Sequence, residues 1–267
     1  LEIHAETILM AAPLQDDELW RSLLWDTRLG VSEILLLQDR FGEAEPFCRA
    51  TLQLFNSQDT AAVQARAQIF LAQSLARLSV MDLRNVRLDQ NTAFLSPAPW
   101  VSGQSDVGKL EESRQLYERS LANLWSLFGE ENVEVARCLE GLARVEIALG
   151  RWDDAEDRLN RAVLILETVL GNTHWSVAEP LRVLAALYEL DFRYELAEKT
   201  HKRILESFTK ALGTDHPNLA ICMEALSNNY YLQGRYMASQ GLYERALDVV
   251  ERLLGGEHPL RQLPGRR

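Results

Sequence analysis

The residues in this chain with chemistry to offer are histidines, cysteines and paired carboxylates, and most of them recur. His174, His216 and His258 stand 42 positions apart, in the contexts Thr173-His174-Trp175, Asp215-His216-Pro217 and Glu257-His258-Pro259. A metal draws its ligands to within roughly 2 Å of one ion. Copies a full repeat apart do not converge, so the spacing predicts loop histidines placed ahead of helices. His201, by its phase, is expected on an inward helix face as a satisfied core histidine. Cys138 and Cys222 are 84 positions apart, which is two repeats. Four helix spacings of roughly 8–10 Å put such places well beyond the roughly 7 Å reach of a disulfide. Cys48 sits on a core phase of its own helix. Three free thiols point to a reducing compartment, the cytoplasm. The acidic pairs Asp16-Asp17, Glu111-Glu112 and Asp153-Asp154 are expected at helix starts, where carboxylates favour the dipole and cap free N–H groups. The chain carries no phosphate loop, GxGxxG turn, HExxH helix, GxSxG elbow or paired CxxC ligands. The reading is non-catalytic, with no cofactor and no metal.

Elements that repeat every 42 residues must position these groups. Gly129, Gly171, Gly213 and Gly255 share one place, and Arg119, Arg161, Arg203 and Arg245 share a second. Gly108, Gly150 and Gly234 share a third, which Phe192 takes in the remaining unit; Leu110, Trp152, Tyr194 and Tyr236 follow it. Each unit reads as two helices. Val135 to Leu149 carries Leu139, Leu142, Ala143 and Glu146 on one face, then come a turn at Gly150 and a second periodic stretch from Asp153 to Leu170. Small residues fall where paired helices must approach closely: Ala143, Ala155 and Ala162, then Ala185 and Ala197, then Ser227 and Ala246. A lone hairpin cannot bury its second face, so the units are expected to stack.

Upstream, Arg40-Phe41-Gly42-Glu43-Ala44-Glu45 resembles Arg151-Trp152-Asp153-Asp154-Ala155-Glu156. This predicts helices over about Asp17 to Gln38, Glu43 to Phe55 and Thr60 to Leu78, with the partner of the third starting at Lys109. Phe41 and Leu110 lie 69 positions apart, one repeat of 42 and an insertion of 27. The expected organisation is a partial helix or cap over 1–16, a repeat array over 17–259 with an inserted loop at about 80–107, and a tail over 260–267. The fold class is all-α, a right-handed superhelical solenoid of about five antiparallel helix pairs.

Apolar residues make up 47% and charged residues 25% of the 267, which describes an ordered helical chain and not a disordered one. A net charge of −11 and a pI near 5.0 give no long-range attraction to nucleic acid or anionic lipid. No stretch approaches the roughly 18 uninterrupted apolar residues of a membrane span. Glu2, His4 and Glu6 break the apolar run at the start, which does not read as a secretory leader. The basic residues are 24 Arg and only 4 Lys, and guanidinium forks suit the gripping of carboxylates.

The run Leu212-Gly213-Thr214-Asp215-His216-Pro217-Asn218-Leu219-Ala220, with Ala225-Leu226-Ser227-Asn228-Asn229-Tyr230, Gln233-Gly234-Arg235-Tyr236 and Tyr243-Glu244-Arg245-Ala246-Leu247, resembles the tetratricopeptide repeats of kinesin light chains. The likeness covers about Gly108 to Pro259 well and the first hundred residues loosely. It implies that the first helix of each pair lines a concave groove. Carried over residue by residue, the lining is Arg137, Glu140, Arg144, Arg182, Glu224, Asn228 and Tyr231. Asn228 matches an asparagine of the family's Asn-Asn motif, whereas Arg144 and Ala186 depart from it. The implied function is a scaffold binding a peptide or protein segment in that groove. Arg137, Arg144 and Arg182 either grip acidic side chains of a partner or pair with Glu140, Glu179 and Glu224. The insertion carries Leu83, Val86, Leu88, Phe94, Leu95 and Trp100, and Phe94 and Trp100 are candidates for a lid. The last helix, Gln240 to Leu254, is broadly apolar, which raises the alternative of an assembly or sensor module in a larger signalling protein, self-associating through this end.

Overall fold

The structure, a computed structural model, describes residues 18–53, 61–81, 106–214 and 216–254. Among these, every regular element is helical, and the chain forms two compact units divided near residue 128. Phe94 and Trp100 lie outside the described residues, as do Asp16, Asp17 and His258.

In the first unit, α1 (Glu18–Leu37) and α2 (Phe41–Gln53) form a hairpin. It is closed by a left-handed Asp39 and a hydrogen bond from Arg40 N to Leu35 O at 2.9 Å. Helix α3 (Ala61–Met81) pairs with α4 (Val107–Phe128). Ser113 Oγ donates to Ala72 O at 2.7 Å, and Ser120 Oγ donates to Gln68 Oε1 at 3.2 Å. Such hydroxyl bonds form only where the helices nearly touch, and Ala65, Ala72 and Leu75 are wholly buried beneath them. Arg49 grips Glu112 with both ends of its fork, at 2.6 and 2.8 Å, tying α2 to α4.

The second unit stacks three hairpins: α5 (Val133–Ala148) with α6 (Trp152–Leu170), α7 (Ala178–Leu190) with α8 (Tyr194–Leu212), and α9 (Pro217–Leu232) with α10 (Tyr236–Leu254). Ala143 and Ala155 are wholly buried where the first hairpin crosses, and Ala185 and Ala197 repeat the arrangement in the second. At the third crossing the two alanine places hold Ser227 and Ser239. Ser227 Oγ satisfies itself on Ser239 O at 2.6 Å, so polar side chains fit without a buried penalty. Glu146, on the core face of α5, is buried and paired with Arg158 Nε of α6 at 3.1 Å.

Each hairpin turn ends its first helix in the same way. Arg151 N reaches Glu146 O, Arg193 N reaches Tyr188 O, and Arg235 N reaches Tyr230 O, each at 2.8 Å. This closure requires a left-handed residue just before the arginine. Gly150 and Gly234 adopt it at φ of 75° and 74°, and Phe192 is forced into it at 58°. Phe192 packs edge-on against Tyr194 but is otherwise largely exposed.

Helix starts correct one expectation. In the second unit the side-chain caps are Asn132, His174 and His216, which occupy one register place. Asn132 Oδ1 accepts from Glu134 N at 2.8 Å, while His174 Nδ1 and His216 Nδ1 accept from Ser176 N and Asn218 N at 3.2 Å. Of the acidic pairs, Asp153-Asp154 and Glu111-Glu112 do not cap. Arg151 stands at the start of α6 with no side-chain cap bond, Asp153 and Asp154 lie within the first turn, and Glu111 and Glu112 are inside α4, paired with Arg114 and Arg49. The last helix also begins a turn before Gln240, because Arg235 closes the preceding turn and its carbonyl accepts from Ser239 N at 3.0 Å.

Replacing Phe192 by glycine should relieve the left-handed strain and raise stability by about 1 kcal/mol. A urea titration reads this as a higher midpoint at unchanged slope; an unchanged or lower midpoint would show that the aromatic contact with Tyr194 outweighs the strain.

Candidate functional site

The faces available to a partner are set by how successive hairpins of the second unit are joined. Glu156 of α6 accepts Tyr188 OH at 2.9 Å and Arg193 Nη1 at 2.6 Å, and the Arg193 guanidinium lies over the Tyr188 ring at 4.7 Å. One repeat later, Glu198 of α8 accepts Tyr230 OH at 3.2 Å and Arg235 Nη1 at 2.8 Å, with Arg235 over the Tyr230 ring at 4.1 Å. Each glutamate thus belongs to one hairpin and both its aromatic and basic partners to the next. Partial burial pushes the two carboxyls up, but bonds from Arg193 and Tyr188 on Glu156, and from Lys202 and Gln233 on Glu198, outweigh it and hold both below the usual 4.5. Beneath the second joint, Glu189 Oε1 meets His201 Nε2 at 3.0 Å and accepts from Asn229 Nδ2 at 3.1 Å. His201 is the satisfied core histidine its phase predicts. The three cysteines are buried free thiols, and burial pushes Cys138 up to about 12. That makes them poor nucleophiles.

With the hairpins so joined, α5, α7 and α9 present the groove candidates, which fall into two groups. In the first, Arg144 Nη2 bridges Glu140 at 2.9 Å and Glu179 at 2.8 Å, crossing from α5 to α7. Arg182 reaches Glu179 only at 3.5 Å and its side chain is 54% exposed. Arg137 pairs with Glu134 at 3.0 Å, not with Glu140. Desolvation raises the pKa of Glu140, with Arg144 pulling it back. The charges expected to serve a partner are therefore partly engaged with one another, and Arg182 is the loosest of them.

The second group is Glu224, Asn228 and Tyr231 on α9. Asn228 Oδ1 accepts from Tyr243 OH of α10, so its oxygen is engaged within the hairpin while its NH2 donors are not. Glu224 and Tyr231 line a hollow of about 870 Å³ between α9 and α10, with Pro217, Ile221, Tyr236, Tyr243 and Leu247 among its other walls. Tyr231 and Tyr236 meet edge-on at 5.3 Å. Ile221, Tyr236, Tyr243 and Leu247 were not among the sequence candidates, although the apolar breadth of the last helix signals part of this surface. Among the described residues no group of side chains fits a metal ion, and no helix is long and apolar enough to cross a membrane.

Residues 105–168 and 176–251 match the family model of the tetratricopeptide repeat. No curated protein matches the chain. Among solved structures the chain is similar to BtubC of P. vanneervenii, with a TM-score of 0.68 at 19% identity over 99% of this chain and 90% of that one. It is also similar to a kinesin light chain-like protein of Podosopora anserina with nearly identical TPR-like repeats, with a TM-score of 0.65 at 16% identity over 86% and 97%. The apo form of RapI gives 0.57 at 13% over 94% and 89%. At these identities the likeness carries the fold.

The joints predict a pH dependence. A carboxyl held below 4.5 in the fold contributes stability that is fully present above its unfolded value and is lost as pH falls through its folded one. Glu156→Gln with Glu198→Gln should lower the melting temperature at neutral pH and flatten its decline between about pH 5 and 3. An acid limb as steep as in the unsubstituted chain would show that other carboxylates govern it.

Proposed function

Since the chain belongs to the tetratricopeptide repeat family, we propose that it is a non-catalytic protein-interaction scaffold that holds a segment of a partner along α5, α7 and α9. The observation that carries this reading is the cluster of Arg144 and Arg182 about Glu179. Two guanidiniums share one exposed carboxylate, and Arg182 holds it at a length that leaves most of its donors for another acceptor. An acidic side chain on the partner would complete that set, because a charge-assisted bond to guanidinium is roughly twice as strong as a neutral one. Glu140, Glu134 and Glu179 restrain the arginines when no partner is present and keep them extended toward the groove, which reduces the ordering cost of binding. Buried, free cysteines fit a reducing compartment such as the cytoplasm.

The second reading, an assembly module self-associating through α10, draws on the apolar hollow. A twofold pairing through the hollow would gather Glu224 and Glu244 of both copies into one joint, and no Lys or Arg lines the hollow to offset them. The scaffold reading carries no such conflict.

The test is binding of peptides selected from an acidic library against the unsubstituted protein. Arg144→Ala with Arg182→Ala should weaken a selected peptide at least about tenfold, roughly 1.4 kcal/mol. The melting temperature should move by no more than about 2 °C, since exposed ion pairs stabilise little. Equal affinity for the double variant would end the reading.

A further inference from the structure

Within the second unit each hairpin gives its open face to the next. Leu205 of α8 packs against the cluster of Ala220, Met223, Leu226 and Tyr230 on α9, and Asn229 and Tyr230 of α9 bond to Glu189 of α7 and Glu198 of α8, so α9 covers the face of α7 and α8. On α10, one repeat further on, Leu247 stands at the place of Leu205, Tyr243 at that of His201 and Tyr236 at that of Tyr194. Here these residues are exposed, Leu247 at 37% and Tyr236 at 62%, and with Ile221 and Val250 they floor the hollow between α9 and α10. The apolar half of the joint is therefore present a third time. The polar half is not. Where α6 and α8 offer Glu156 and Glu198 to an arriving tyrosine and arginine, α10 has Gln240, whose amide is turned onto Glu244 at 2.9 Å.

The charges around the hollow are of one sign. Glu224 on α9 and Glu244 on α10 are both exposed, and the lining includes no Lys or Arg. A helix laid into a groove between two antiparallel helices is the geometry already realised by α9 against α7 and α8, and it suits an apolar stripe at positions i, i+3, i+4 and i+7. We propose that the hollow between α9 and α10 receives an amphipathic helix from a separate protein, with Lys or Arg on both flanks of its apolar stripe. The stripe seats on Ile221, Tyr236, Tyr243 and Leu247, and the flanking cations meet Glu224 and Glu244. A second copy of this chain fits poorly, because the same acids would face each other across the joint. This surface is distinct from the arginine cluster on α5 and α7, although Glu224 and Tyr231 border it.

The probes are two labelled helical peptides of about 18 residues, with one leucine stripe in common and either Lys or Glu at every flanking position, read by fluorescence anisotropy. The Lys peptide should bind at least about tenfold tighter than its Glu twin and weaken as salt is raised. Glu224→Lys with Glu244→Lys, both exposed and so compatible with the fold, should cost at least about tenfold, as should Leu247→Lys. Arg144→Ala with Arg182→Ala should leave this binding unchanged, which separates its fate from that of the groove reading. Equal affinity for the two peptides, or indifference to both the charge-reversed and the Leu247 variants, would overturn the proposal. So would a dimer in light scattering that Leu247→Lys dissolves, which would make a second copy the occupant. Tighter peptide binding by a chain ending at Leu254 than by the full chain would overturn it as well, by showing that residues 255–267 already compete for the hollow.

Discussion

Two helices joined by a short turn can bury one face between themselves, and the other stays open until something covers it. The second unit of this protein follows from that constraint. Its hairpins close tightly because alanine or a self-satisfied serine stands at every crossing, and each open face is then taken by the following hairpin. Glu156 and Glu198 make the joints directional: the acid sits on the second helix of one hairpin, while the tyrosine and arginine that seek it come from the first helix and turn of the next. A slide of the hairpins past each other would break the hydroxyl bond, the ion pair and the stacked guanidinium together.

The joints also decide which basic side chains of the first helices are left over. Once Glu156 and Glu198 have absorbed Arg193 and Arg235, the basic groups remaining on the first helices are Arg137, Arg144 and Arg182. The separation of Arg144 on α5 from Arg182 on α7 is set by the joint and not by either helix alone. Arg144 records this directly, since one of its acceptors is four residues away on α5 and the other is on α7. At the third hairpin of the second unit the apolar part of the joint persists, while Gln240 stands at the place of Glu156 and Glu198.

The helices, their turns and their crossings were legible in the sequence because each leaves a local signature that recurs every 42 residues: small residues at 143 and 155, a turn residue at 150, an arginine after it. Phe192 was visible as the misfit at its place. The joints were not read, although Glu156, Tyr188 and Arg193 recur 42 positions on as Glu198, Tyr230 and Arg235. Glu156 lies 32 positions from Tyr188 and 37 from Arg193, and in isolation each is an ordinary surface residue of an amphipathic helix. His174 and His216 were read correctly as loop residues. Their role as caps depends on Nδ1 reaching a backbone N–H two residues on, and Asn132 at the same register was the available clue. The partners of the groove arginines were half legible: of Glu140, Glu179 and Glu224, the first two pair with Arg144 and Arg182, whereas Arg137 takes Glu134.

The central claim is that each glutamate couples neighbouring hairpins. A double-mutant cycle on Glu156 and Arg193, with Glu156→Gln, Arg193→Met and the pair together in urea unfolding, measures it most directly. The account predicts a coupling energy of about 0.5–1 kcal/mol or more, with the double variant losing less than the two single losses combined. Strict additivity would contradict it, because the two side chains would then stabilise their own hairpins independently.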